Sequence, residues 1–272
     1  MKNTAACAQK FRALLKKLEK GQDLTPASDG DPVSTLIYSS LLWEATVSDA
    51  TTAFDKLVKS VVDYNELRVL LAHDVIDIIG EDYPKADERA RRLRAMLRDI
   101  YVREHEVTLG SLSSLGKKDT KIYLDTLEGM VSFVSSRIQL LHYEGRGIPV
   151  DEQLRELLVE ESAVDASAKP VEITNWITRQ IKVEQDLEVA GQLQRWSDNE
   201  AQRQRRNAAR RVTRKKPVST TTSKKTTAKK TASKKTVSKK TVGKKAVSKK
   251  AATKKTSTVS SGRKKTGTRK TA

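Results

Sequence analysis

The sequence predicts an all-α body followed by an unstructured polycationic tail. Three observations carry this. Apolar residues recur at intervals of three and four over residues 4–208, whereas strand-like alternation is weak throughout. Turn-forming residues punctuate these stretches closely, which suits helices joined by short connections. Charge also divides sharply. Residues 201–272 carry 27 Lys or Arg and no Asp or Glu, while residues 1–200 carry 26 basic and 34 acidic residues, a net charge of −8.

Taken in order, residues 4–20 form a basic amphipathic helix with Phe11, Leu14, Leu15 and Leu18 inward. GQDLTPASDGDP is a loop. A buried helix starts near Pro32, a favoured first helical position, and carries Leu36, Ile37, Leu41 and Leu42. The next shows Ala50, Phe54, Leu57 and Val61. After DYNELRVLL, a short helix in LAHDVIDIIG stops at Gly80. YPKADERARRLRAMLRDIYVREH is the clearest helix. Its expected buried stripe is Ala86, Ala90, Leu93, Leu97 and Ile100, with Arg89, Arg91, Arg92, Arg94 and Arg98 largely on a solvated basic face. Short helices follow near 108–115 and 117–125, then 130–143, 151–162, 171–182 and 183–208. Trp43, Trp176 and Trp196 are expected as core anchors.

From residue 224 the chain repeats in fives, with lysine pairs at Lys224 and Lys225, Lys229 and Lys230, Lys234 and Lys235, Lys239 and Lys240, Lys244 and Lys245, Lys249 and Lys250, and Lys254 and Lys255. A period of five matches neither 3.6 nor 2, so no continuous face forms. With almost nothing apolar to bury, the tail is expected to be disordered alone. Lysines spaced by Ala, Ser, Thr, Val and Gly suit a polyanion, and duplex DNA is the expected partner, held by sequence-independent, salt-sensitive contacts. Ribosomal RNA, a membrane, polyphosphate or a purely solubilising role are the alternatives. The tail resembles the lysine-rich tails of linker histones and of tailed bacterial nucleoid proteins.

Cys7 is the only cysteine, so no intrachain disulfide and no Cys-based zinc or iron–sulfur site can form. His73, His105 and His142 are scattered without ligand spacing, so no metal is expected, and no cofactor motif is present. No apolar run suits a signal peptide or a membrane span. The expectation is a cytoplasmic, nucleoid-associated protein with a helix and loop over 1–30, a helical domain over 31–208 and a Lys-rich DNA-binding tail over 209–272, its protein partners open.

Residues 127–151, LEGMVSFVSSRIQLLHYEGRGIPVD, carry a resemblance. With DPVSTLIYSSLLWEATVSDATTAFDKLV and KADERARRLRAMLRDIY upstream, they resemble, over about residues 30–165, the helix–hairpin–helix DNA glycosylase superfamily that contains endonuclease III. Within it the likeness is to glycosylase-like proteins of planctomycete-type bacteria, through a D-[YW]-N-E-L-R-V stretch, here Asp63 to Val69. LEGMVSFVSSRI sits where the family has L-P-G-V-G-x-K-T-A, and GIPVDEQL where it has V-D-T-H-V. The resemblance implies a DNA-binding hairpin at Gly129, but Val131 replaces its second glycine. Phe133 replaces the Schiff-base lysine, 18 residues before Asp151 as in the family. The polar wedge falls on Glu44, where a carboxylate would repel the duplex. Gln153 replaces the family's histidine, and the four-cysteine cluster is absent.

Asp151 reads in two ways: as the family's catalytic carboxylate, or as the N-cap of the helix that follows. Three functions follow. The first is a non-catalytic DNA-binding protein held on DNA by its tail, the second a monofunctional glycosylase using Asp151, and the third a protein-interaction module tethered to DNA.

Overall fold

The structure is a computed structural model that describes residues 4–18, 24 and 30–214. The lysine pairs between residues 224 and 255 lie outside the described residues. Among the described residues all regular structure is helical. The helices are α1 (Thr4–Lys17), α2 (Pro32–Leu42), α3 (Val47–Ser60), α4 (Tyr64–Val69), α5 (Ala72–Ile79), α6 (Ala86–Glu104), α7 (Lys117–Asp125), α8 (Ser132–His142), α9 (Glu152–Glu160), α10 (Pro170–Gln180) and α11 (Asp186–Arg214), with short 3-10 turns at Gly110–Ser114 and Val183–Gln185.

Four of these helices begin on the same local chemistry. Asp31, Thr46, Asp63 and Asp151 each stand in extended backbone and accept a hydrogen bond from the N–H three residues on. Each satisfies one of the backbone donors that a helix leaves unpaired at its start. Pro32 follows Asp31 at the first helical position, as its fixed φ favours. Gly80 ends α5 at φ +107, a conformation that costs a side-chain-bearing residue more than glycine.

Apolar side chains gather in two clusters. One joins α2 to α8 and includes Leu36, Ile37, Leu57, Leu93, Leu97, Phe133 and Ile138. The other joins α1 to α8–α11, where Phe11 meets Trp176 edge to face with ring centroids 5.5 Å apart. Helix α8 runs between them, and every residue from Phe133 to Leu140 is buried. Two of its polar residues are tied inside: Ser135 donates to Asp125, and Gln139 donates to Ser135 at 2.8 Å.

The basic face expected for α6 needs one correction. Arg89 is only 1% exposed. Its guanidinium donates to the carbonyls of Ser40, Trp43 and Pro84, the Trp43 bond measuring 2.6 Å. Beside it the Tyr83 hydroxyl, pushed up to about 12 chiefly by burial, donates to the Leu41 carbonyl at 2.8 Å. Together they satisfy three carbonyls at the C-terminal end of α2, the partially negative end of the helix dipole. The cation therefore lies inside because unpaired carbonyls there demand it. Of the three tryptophans only Trp176 is fully buried, while Trp43 and Trp196 pack half-buried at the edges of the core.

Candidate functional site

The hairpin runs from α7 to α8 and leans on α6. Asp99 accepts the Glu128 N–H at 2.9 Å, and Arg103, paired with Asp99 at 2.7 Å, donates to the Thr126 carbonyl at 2.8 Å. Gly129 has φ +82, and a Cβ there would stand 2.8 Å from the Arg92 carbonyl oxygen. Glycine is thus required by the close approach of the turn to α6, independently of any ligand. Val131 begins α8 with no side-chain cap, so backbone N–H groups in its first turn are left to other partners.

The α2–α3 turn faces this hairpin. Its central peptide group, between Trp43 and Glu44, is held at both ends. The Trp43 carbonyl accepts from Arg89, and the Glu44 N–H donates to Asp151 Oδ2 at 3.0 Å. Asp151 Oδ1 accepts the Leu154 N–H at 2.9 Å. Both carboxylate oxygens therefore hold backbone donors, and the residue is 8% exposed. Burial raises its pKa. The Leu154 and Glu44 N–H groups pull it down, the Glu44 carboxylate adds to the rise, and the net direction is up. A cation at the carbonyl and a carboxylate at the N–H polarise one peptide in the same sense, so each bond strengthens the other. Glu44 itself sits at φ +54, a strained conformation for a non-glycine residue that the two anchors maintain.

Between hairpin and turn lies an open cleft of about 310 Å³, lined among others by Trp43, Glu44, Arg92, Val131, Phe133 and Asp151. The structure so brings together Glu44, Phe133 and Asp151, which the sequence singled out separately. Phe133 is 3% exposed and belongs to the first core cluster, where burying such a ring contributes about 1.5–3 kcal/mol. It offers the cleft no nucleophile. The Glu44 carboxylate is paired with Lys85 at 2.8 Å, and Lys85 stands 4.6 Å above the Trp43 ring. The bare negative wedge expected at Glu44 is thus a neutralised pair. Gln153 faces elsewhere, lining a separate groove between α9 and α11. His73 lies at the surface 3.3 Å from Asp74, His105 ends α6, and His142 meets the Thr35 hydroxyl at 2.8 Å. Among the described residues no cluster of His, Cys, Asp and Glu could hold a metal, and no helix is long and apolar enough to cross a membrane.

Sequence reasoning missed two groups. Arg89 stands three residues after Ala86 and four before Leu93, so the helical interval alone placed it inward. A second, partly buried polar set lies near Asp151. Asp198 on α11 accepts the Val47 N–H at 3.1 Å and so caps α3. Burial drives its pKa up to about 6, the Val47 N–H and the Gln194 amide oppose that, Asp151 adds to it, and Arg137 opposes it. Arg137, on α8, is itself held down to about 10 by burial. No spacing rule connects these residues in sequence.

No protein-family profile matches this chain, and no curated protein matches it. Its fold is similar to that of an endonuclease III trapped as a covalent DNA intermediate in an estranged-adenine complex, at 11% identity, covering 71% of this chain and 85% of that one, with a TM-score of 0.52. The body thus has the helix–hairpin–helix glycosylase fold. Other similar structures are an 8-oxoguanine glycosylase/lyase of Clostridium acetobutylicum bound to duplex DNA with cytosine opposite 8-oxoguanine (15% identity, 74% of this chain, 71% of that chain, TM-score 0.49) and a non-covalent endonuclease III–DNA complex (9%, 71%, 85%, 0.47).

The raised pKa of Asp198 has a consequence for stability. A carboxyl that holds its proton more tightly folded than unfolded stabilises the fold at low pH, and that contribution is lost as pH rises toward the folded value. Between about pH 4 and about pH 6 the wild type should lose stability through this group. Asp198→Asn keeps an acceptor for the Val47 N–H and should flatten the profile over that window, read as urea midpoint against pH. Superimposable profiles for the two proteins would show that Asp198 does not titrate there.

Proposed function

We propose that this chain is a DNA-binding, non-catalytic protein with an endonuclease III-like body, held on duplex DNA chiefly by its Lys-rich tail. The observation that carries the reading is the state of the cleft. In the resemblance, Phe133 stands where the family keeps its nucleophile, and here its ring is part of the core. Asp151 stands where the family keeps its carboxylate, and here both oxygens hold backbone N–H groups. A base-excision site needs a reactive group exposed to a flipped nucleotide. The cleft residues are instead committed to packing and capping. The body is net negative over residues 1–200, so the electrostatic attraction to phosphate is supplied by residues 201–272. A nucleoid-associated location follows from this reading.

A second reading, a monofunctional glycosylase acting through Asp151, draws on one observation: this carboxylate lines the open cleft. Lyase chemistry is outside both readings, because no amine stands at Phe133.

The decisive experiment is borohydride trapping on an abasic duplex with a chain ending at Arg214, the last residue the structure describes. Ending there removes the paired lysines, which react unspecifically. No covalent adduct should form, and duplexes carrying oxidised or deaminated bases should remain intact. An adduct mapping to a body residue, or base release abolished by Asp151→Asn, would overturn the non-catalytic reading.

The tail makes a separate expectation. If about half of the 14 paired lysines contact phosphates at once, the log affinity of the full chain should fall with log salt at a slope of about −6, from about −0.9 per phosphate. Deleting two pentads should flatten the slope equally on unrelated duplexes, and scrambling the tail at constant lysine spacing should change little. A slope near zero in a salt titration would contradict a tail that binds by charge.

A further inference from the structure

Helix α11 divides into two parts with different surroundings. Its first half packs into the second core cluster through Val189, Ala190 and Leu193. From Gln202 to Ala208, seven consecutive residues are all exposed. At about 100° per residue, Ala201, Gln204 and Arg205 fall on the side that lines the groove with α9, and the opposite side is turned to solvent. It carries no apolar stripe with which to dock on a protein partner or a membrane. The inner side is anchored, because Arg205 pairs with Asp49 of α3 at 2.6 Å, and that contact holds Asp49 below its usual range despite burial, which acts first and upward.

One face of this part of α11 is formed by Asn199, Gln202, Arg203, Arg206, Asn207 and Arg210, spaced by three and one in alternation. Only arginines and carboxamides occupy the stripe. Glu200, paired with Arg203 at 3.0 Å, is the last acidic residue of the chain. The choice of cation also changes at the end of the helix. Residues 186–214 contain seven Arg and no Lys, whereas residues 215–272 contain nineteen Lys and two Arg. Lysine is a mobile point charge that suits phosphate neutralisation. Arginine offers a rigid fork of donors that matches the O6 and N7 edge of guanine, and Asn or Gln does the same for adenine.

We propose that the distal part of α11 enters the major groove of duplex DNA and reads base edges through Arg203, Arg206 and Asn207. The inference rests on DNA being the partner but goes beyond it. The lysine tail supplies sequence-independent affinity, and α11 supplies sequence preference. The dimensions agree. Asn199 to Arg210 spans about 16 Å of helix at about 1.5 Å per residue, and a helix about 10–12 Å across with its side chains presents its exposed face to a groove about 12 Å wide. An A-form RNA duplex has a major groove too narrow for a helix, so RNA duplexes should not be read in this way.

The test is selection from a pool of randomised DNA duplexes by the full chain, followed by affinity measurements on the selected and an unrelated duplex. The wild type should prefer the selected duplex by about tenfold or more, the scale of one good bidentate contact. The variant Arg203→Lys/Arg206→Lys keeps the charge and, being exposed, leaves the body folded by circular dichroism. It should lose that preference while its affinity for the unrelated duplex changes less than about twofold. Adding Asn207→Ala should not restore it. Binding without any preference, or a preference that survives the lysine variant or appears equally on duplex RNA, would overturn base reading by α11 and leave DNA binding by the tail intact. Absence of any duplex binding by the full chain would overturn the DNA reading as well.

Discussion

One peptide group, between Trp43 and Glu44, is clamped by two buried charges of opposite sign, and the shape of the cleft depends on it. Arg89 reaches it from α6 and Asp151 from the start of α9. Neither ion lies in contact with the other, yet each is compensated through the same amide. The arrangement fixes the α2–α3 turn against two other segments of the chain. It also sets where Glu44 can project, and from there the Glu44–Lys85 pair and the Trp43 ring take their places around the cleft.

The clamp separates the demands that the fold makes on two cleft positions. A buried charge that has lost its partner costs about 3–5 kcal/mol, so a carboxylate that anchors a turn and caps a helix is constrained by stability alone. Asp151 is under that constraint whatever chemistry the cleft performs. Position 133 is under a different one. An apolar ring there adds to the first core cluster, so Phe at this position stabilises the fold. Gly129 belongs with Asp151, since its turn must approach the Arg92 backbone within a distance no Cβ permits. The two residues that make the sequence look like an active site are the two that the structure requires for its own packing.

Most of the helices, α4 apart, were legible in the sequence because caps, proline and periodicity are local signals. Asp31, Pro32, Thr46 and Gly80 act within a turn of where they stand. The N-cap role of Asp151 was legible for the same reason. Its second bond, to Glu44 N–H 107 residues away, was not, because nothing local encodes it. Arg89 was misplaced on the solvated face because arginine is usually exposed, although its interval from Ala86 and Leu93 pointed inward. Asp198 and Arg137 were invisible, as their roles arise only when α3, α8 and α11 meet. The exposed stripe of α11 was readable as spacing but acquired meaning only when the opposite side of the helix proved to face α3 and α9.

A double-mutant cycle on Arg89→Met and Asp151→Asn, read by urea unfolding, tests most directly whether Asp151 acts as part of the clamp. The two side chains share no contact except the Trp43–Glu44 peptide. If that peptide couples them, the double variant should lose less stability than the sum of the single variants, by about 1 kcal/mol or more. Additivity within about 0.5 kcal/mol would mean that the two charges act independently and that the shared peptide does not clamp them together.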